Sequence, residues 1–160
     1  MITIRPLELW DKDQLIDIIR EFVQYERDAF DPTSSVEHTY SDIFLERIDK
    51  KFEDNPDSQH YVAIDDESWV LAGYIYGIVM DYPSRNIGWG KMSYLLNLYI
   101  KEEYRAHWLW KKLFTQYKDR AKEQWATRLK LHCLKWNDPA KGFYEKMGFE
   151  VYDYTLEQSV

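Results

Sequence analysis

The stretch Glu102–Phe114, EEYRAHWLWKKLF, has the residue types of an anion site. It follows an apolar run, carries Arg105, and opens a helix with Lys111 and Lys112 near its start. Free backbone N–H groups and the helix dipole favour a phosphate there. A turn that holds a phosphate closely wants glycine, because a Cβ keeps the backbone away from the anion. This one has Trp108 and Trp110 instead. Other groups capable of chemistry are sparse. Cys133, the single cysteine, could carry an acyl group as a nucleophile, yet it alternates with Leu129 and Leu131 as a core thiol would. His107 and His132 have no partners at ligand spacing, which points to no metal site. Glu26 reads either as a base or as one more solvated helix carboxylate.

The elements that must position these groups can be read from periodicity. "ITIRP" alternates and stops at Pro6 as a short strand would. Asp11 can cap a helix whose apolar positions are Leu15, Ile18, Ile19, Phe22 and Val23. After the break at "DAFDPTSS", Ser34 or Ser35 opens a second helix through Val36, Tyr40, Ile43, Phe44, Ile48 and Phe52, ending near "EDNPDS". "HYVAI" and "WVLAGYIYGIVM" read as strands joined by the turn "DDES", and Met92 to Ile100 as a longer strand. The helix "YRAHWLWKKLFTQYKDRAKEQW", the strand "RLKLHCL", the helix "DPAKGFYEKM" and a closing strand "GFEVYDYTLE" complete the chain. The order β-α-α-β-β-β-α-β-α-β predicts a mixed α/β sheet with helices on its faces, in one domain over residues 1–160.

Composition limits the function classes. The 160 residues are 45% hydrophobic, 31% charged and 17% aromatic, values of a globular chain with a real core and an aromatic surplus for packing or for a pocket. No charged start followed by an apolar run marks a signal peptide, and no apolar stretch approaches a membrane span, so neither export nor a membrane is expected. One cysteine suits a reducing compartment, and the expected location is the cytoplasm. The net charge of −7 is unevenly distributed. Residues 1–67 hold 18 acids against 7 bases, and the remainder 10 against 14. That asymmetry suits an anionic ligand on one side and a cationic one on the other, or simply solvates the acidic helices. An acidic chain without a basic stripe argues against nucleic acid.

"LLNLYIKEEYRAHWLWKKLF" followed by "LHCLKWNDPAKGFYEKMGFEVY" resembles the GCN5-related N-acetyltransferase (GNAT) superfamily in the order and spacing of central strand, pyrophosphate turn, helix and final Asn…Tyr helix. "WNDPAKGFYEKMGF" and "REFVQYERDAF" look most like its diamine and thialysine acetyltransferase branch, where a Tyr-Glu pair matching Tyr25 and Glu26 faces the amine. That branch's acidic pair falls at Leu96 and Asn97, both uncharged, which turns the expectation from a polyamine toward a smaller amine.

The resemblance implies an acyl-CoA N-acyltransferase fold and direct acetyl transfer from acetyl-CoA to a primary amine of a small, cationic acceptor, by a homodimeric enzyme without a metal. Tyr144 would be the general acid for the departing thiolate. The acceptor would meet Tyr25, Glu26 and Asn97. Acetyl-CoA would lie against the backbone of Leu98, Tyr99 and Ile100, an N–H around Tyr99 or Ile100 acting as oxyanion donor. Asn137 would bond its pantetheine arm, a role compatible with capping a helix. Its pyrophosphate would meet the turn Arg105, Ala106, His107, Trp108, Leu109, Trp110 and Lys111. Trp110 shares a helical stripe with Phe114, Tyr117 and Ala121 and reads as core. Trp108 lies off that stripe with Lys111 and Lys112. If it fills the phosphate space, the chain is instead a catalytically inactive binding protein of the same fold.

Overall fold

A computed structural model describes residues 1–52, 58–84, 88–105, 107–156 and 158. A five-stranded sheet in the order β1-β2-β3-β4-β5 organises the chain. Its strands are β1 (Ile2–Pro6), β2 (Ser58–Asp65), β3 (Val70–Ser84), β4 (Gly88–Ile100) and β5 (Ala126–Leu131). The first four are antiparallel neighbours, and β5 joins β4 in parallel. Helices α1 (Lys12–Ala29) and α2 (Asp42–Lys51) cover one face; α3 (His107–Glu123) and α4 (Asp138–Lys146) cover the other.

The alternation in β3 explains why both faces fill. Tyr74 and Tyr76 turn toward α1 and α2, where Leu15, Ile18, Phe44 and Ile48 are buried. Ile75 turns toward α3, against Leu109, Leu113, Phe114 and Tyr117. Gly77 is required on that face, because a Cβ there would stand 2.2 Å from the Tyr117 hydroxyl. Tyr117 donates to Ser93 at 2.6 Å, and Ser93 donates to Gln59 Oε1 at 3.2 Å, so a chain of buried polar groups is satisfied within the core. None of the described helices is long and apolar enough to cross a membrane.

Four expectations from sequence are corrected. Asp11 precedes α1, but its carboxylate makes no cap bond to the helix. It accepts two bonds from Arg5, at 2.7 and 2.8 Å, and one from the Glu8 N–H at 2.9 Å, because a buried carboxylate is better satisfied by a guanidinium than by one amide. The second helix does not open at Ser34 or Ser35. A single 3-10 turn, Glu37–Tyr40, comes first, and Ser41 then caps α2 by accepting from the Phe44 N–H. The strand holding "RLKL" stops at Leu131, so Cys133 lies beyond it and is exposed rather than core. The closing strand does not form over 149–156. Val151, Tyr152, Tyr154 and Leu156 stay exposed, so the segment lacks a buried face to fix its register. Its side chains still lean on β5, Tyr152 against Arg128 and Lys130.

Candidate active site

The sheet parts where chemistry could happen. In the β3–β4 ladder Tyr76 pairs with Asn97 and Gly77 with Leu95, so Leu96 is an extra residue that bends β4. The β4–β5 ladder ends at Leu95 and Leu131, and among the described residues no strand pairs with Asn97–Ile100 on that side. The resulting gap joins the two faces. Tyr144 packs with Phe143 and Phe149 on the α3 side, whereas Glu26 belongs to α1 on the other. A continuous sheet would stand between them.

Electrostatics couples them. Glu26 is pushed up to about 7, chiefly by burial and secondarily by Asp31. Its charge in turn is felt at Tyr74, Cys133 and Tyr144. Groups from α1, β3, the β5–α4 loop and α4 are therefore within electrostatic reach of one another. Tyr144 is pushed well above the usual phenol range, first by burial, then by Cys133 and Glu26. It stays protonated at neutral pH, as a proton donor must. Although Cys133 is exposed as a residue, partial desolvation pushes its thiol up and disfavours the nucleophilic thiolate; its Sγ lies 3.7 and 3.8 Å from the carbonyl oxygens of Leu134 and Asn137.

The last helix holds Tyr144 by its ends. Asn137 caps α4, accepting from the Ala140 N–H at 3.1 Å, with Pro139 in the first turn. At the other end Gly148 takes φ +90°, which lets the Phe149 N–H bond the Tyr144 carbonyl at 3.0 Å. The sequence signal for its start, Asn-x-Pro, was plain.

The anion turn is more compromised. Ala106 and the His107 side chain lie outside the described residues. The Arg105 guanidinium faces inward: Nε donates to the Ile100 carbonyl at 3.0 Å, Nη2 to the Tyr99 hydroxyl at 3.4 Å, and the group lies 4.5 Å from the Tyr25 ring centroid. Tyr99 also donates to Glu21 at 2.9 Å. Arg105 thus braces the α1 side of the gap, and Leu98, Tyr99 and Ile100 are buried at its edge. Trp110 packs against Phe143 with the core, as its stripe predicted. Leu109 is fully buried in the core beneath α3. Trp108 is 46% exposed, with the Lys112 ammonium 4.9 Å from its ring, and it rims a shallow groove with Ile2, Tyr104 and Arg105. Exposed Lys111 and Lys112 favour an anion, but exposed Glu102 and Glu103 oppose them.

Tyr25 stacks edge-on with Phe30 and tilts over Tyr99, so it lines the α1 wall beside Glu26. Asn97 lies on the same side, opposite Tyr76. His132 meets the Tyr94 ring edge. Sequence reasoning missed Tyr74, whose buried hydroxyl has no hydrogen-bond partner among the described residues. Only its place in the alternation of β3 could have pointed to it.

The sequence profile described as "Acetyltransferase (GNAT) family" matches residues 19–149. A Bacillus subtilis (strain 168) protein, provisionally assigned as a ribosomal protein bS18-alanine N-acetyltransferase, is 36% identical over 92 residues. The match covers 57% of this chain and 54% of that one, about half the length of the relative. The fold is shared with solved structures. A Bacillus halodurans C-125 protein described as a transcriptional regulator superposes with a TM-score of 0.78 at 18% identity, all of both chains being covered. AAC(6')-Iy, in complex with a bisubstrate analogue joining CoA to monomethyl-acetylneamine, gives 0.76 at 11% identity, with 100% of this chain and 98% of that chain covered.

Proposed function

The chain belongs to the acetyltransferase (GNAT) family, and on that premise we propose that it moves an acetyl group from acetyl-CoA to the primary amine of a small acceptor. The electrostatic coupling of Glu26 and Tyr144 across the gap supports this reading. The acceptor arrives with its reacting end a cation, and Glu26, ionised about half the time at neutral pH, takes the ammonium proton. The free amine then forms the new C–N bond as the thioester C–S bond breaks. Tyr144 gives its proton to the departing sulfur and regains one from the nitrogen of the new amide, and Glu26 sheds its proton to solvent. Arg105 and Tyr25 hold the wall against which the acceptor is oriented. Backbone N–H groups at Tyr99 and Ile100 are the oxyanion donors of this scheme. The Tyr-Glu pair and "WNDPAKGFYEKMGF" support the diamine and thialysine branch, with a smaller amine in place of a polyamine because Leu96 and Asn97 carry no charge.

One observation favours a second reading. Trp108 stands at the rim where a glycine would leave room for the pyrophosphate, which suits a binding protein that no longer takes acetyl-CoA. Thermal-shift titration separates the two. Acetyl-CoA at ~100 times its dissociation constant is expected to stabilise the protein by ~2.7 kcal/mol. No stabilisation at millimolar acetyl-CoA, with stabilisation regained in Trp108→Gly, would establish the blocked site instead.

A further inference from the structure

Tyr74 fills the middle of the wall beneath α1. Its ring belongs to the buried cluster of Leu15, Ile18, Phe44 and Ile48, with Phe22 and Tyr25 packed against that cluster. The hydroxyl at its tip is buried as well, and no described residue bonds it. A phenylalanine here would bury the same ring without leaving an unpaired O–H away from water. The hydroxyl therefore costs stability, and the packing does not require it.

The register shows that the neighbouring tyrosine is differently placed. Tyr74 on β3 stands directly opposite Tyr99 on β4, and both rings turn to the α1 face. The Tyr99 hydroxyl donates to Glu21 at 2.9 Å and accepts from Arg105 Nη2 at 3.4 Å, so its proton is committed. The Tyr74 proton is not. On α1, Ile18, Phe22 and Glu26 follow one another at i, i+4 spacing, so the row that packs against this wall carries Glu26 at its end. The half-buried Glu26 carboxylate has the complementary need. Burial and Asp31 both disfavour its charge, and no hydrogen bond from a described residue offsets them. Tyr74 lies within electrostatic reach of it.

We propose that Tyr74 is the positioning residue of the base: when Glu26 ionises, its carboxylate turns to accept from the Tyr74 hydroxyl and is held there toward the acceptor amine. One carboxylate oxygen is then engaged, and the other is left to take the ammonium proton. The turn needs only a change of rotamer at Glu26. Because a charged acceptor holds a hydroxyl more strongly than a neutral one, the bond tightens and slackens with each proton that Glu26 releases and takes. The proposal rests on the reading of Glu26 as the base and deepens it. The other charged or titratable groups around this wall are Glu21 and Tyr25 on α1, Asp31 after it, Tyr99 on β4, Arg105 before α3, Cys133 after β5 and Tyr144 on α4.

Tyr74→Phe keeps the ring, removes the donor and leaves all of those groups in place. The stability difference between Glu26 and Glu26→Gln, measured by urea unfolding across pH in the Tyr74 and the Tyr74→Phe backgrounds, reads the titration of Glu26 with neither acetyl-CoA nor amine present. With Tyr74 present the difference bends to a plateau at about pH 7. Loss of a bond to the charged form is expected to move that bend up by about one pH unit or more, with the two backgrounds agreeing at about pH 5. The acid limb of the amine-dependent rate should move with it, so that kcat/KM in Tyr74→Phe falls about fivefold at pH 7 and recovers by about pH 9. A Glu26 titration that is unmoved or lowered in Tyr74→Phe, as a hydroxyl that only fills the core would give, overturns the proposal. That failure leaves acetyl transfer standing, because the role of Glu26 as base is decided separately by the rate of Glu26→Gln.

Discussion

Replacing Glu26 by Gln tests the reasoning about the cleft through stability as well as rate. An unfolded Glu titrates near 4.5, whereas burial and the nearby Asp31 raise Glu26 to about 7 in the folded chain. Asp31 itself is held low by the Thr33 hydroxyl and amide, so it stays charged throughout this window. The folded state therefore binds the Glu26 proton more tightly. The stability this contributes is complete below pH 4.5 and is lost as pH rises through about 7. A gap of about 2.5 pH units at ~1.36 kcal/mol each gives about 3 kcal/mol, and solvent screening at a half-buried position reduces this to about 1–3 kcal/mol. Gln cannot ionise, so the stability of Glu26→Gln relative to wild type should climb by that amount between pH 4.5 and 8 and then level off. Urea unfolding followed by tryptophan fluorescence at a series of pH values measures it. A difference that is flat with pH, or that falls across this window, refutes the account of Glu26 as a carboxylate held reluctantly charged. The same variant should lose about 10²–10⁴-fold in amine-dependent rate if Glu26 is the base.

Three further perturbations have defined outcomes. Gly77→Ala drives a methyl into the Tyr117 hydroxyl and should destabilise the fold by about 1–3 kcal/mol, read as a lowered urea midpoint at unchanged slope. Arg5→Met leaves the Asp11 carboxylate buried without its guanidinium and should cost about 3–5 kcal/mol, whereas the double variant Arg5→Met/Asp11→Leu should recover most of it. Asn137→Ala removes the α4 cap and should cost about 1 kcal/mol in thermal unfolding. A larger loss of acetyl-CoA affinity than of stability would assign it a ligand contact besides the cap.

The elements were legible wherever one face of a strand or helix is buried, because burial writes a period into the sequence. The stripe Trp110, Phe114, Tyr117, Ala121 gave α3 and its packing, and the run through "WNDPAKGFYEKMGF" gave α4 with both of its ends. Where ends depend on local polar competition, the sequence was ambiguous. Ser34, Ser35 and Ser41 are equal as caps on paper, and only the preceding 3-10 turn selects Ser41. Asp11 was readable as a cap, but its choice of Arg5 depends on β1 lying beside it. The alternation through Cys133 and through "FEVYDY" failed for one reason, since a period of two predicts burial only if a second surface covers the strand. At the site, Tyr144 and Asn137 were named through the resemblance of "WNDPAKGFYEKMGF" to the family. Tyr74 could not be named that way, because only the register of β3 against β2 and β4 sets which side chains share its wall.

Release of the CoA thiol from acetyl-CoA, measured over a panel of primary amines with wild type and Tyr144→Phe, tests the central claim most directly. The account predicts amine-dependent release by the wild type. In Tyr144→Phe it predicts a fall in kcat of about 10²-fold or more with the KM for acetyl-CoA little changed, since the phenol acts on the leaving group rather than in binding. Equal rates in the two proteins, or no amine-dependent release by the wild type, would contradict it.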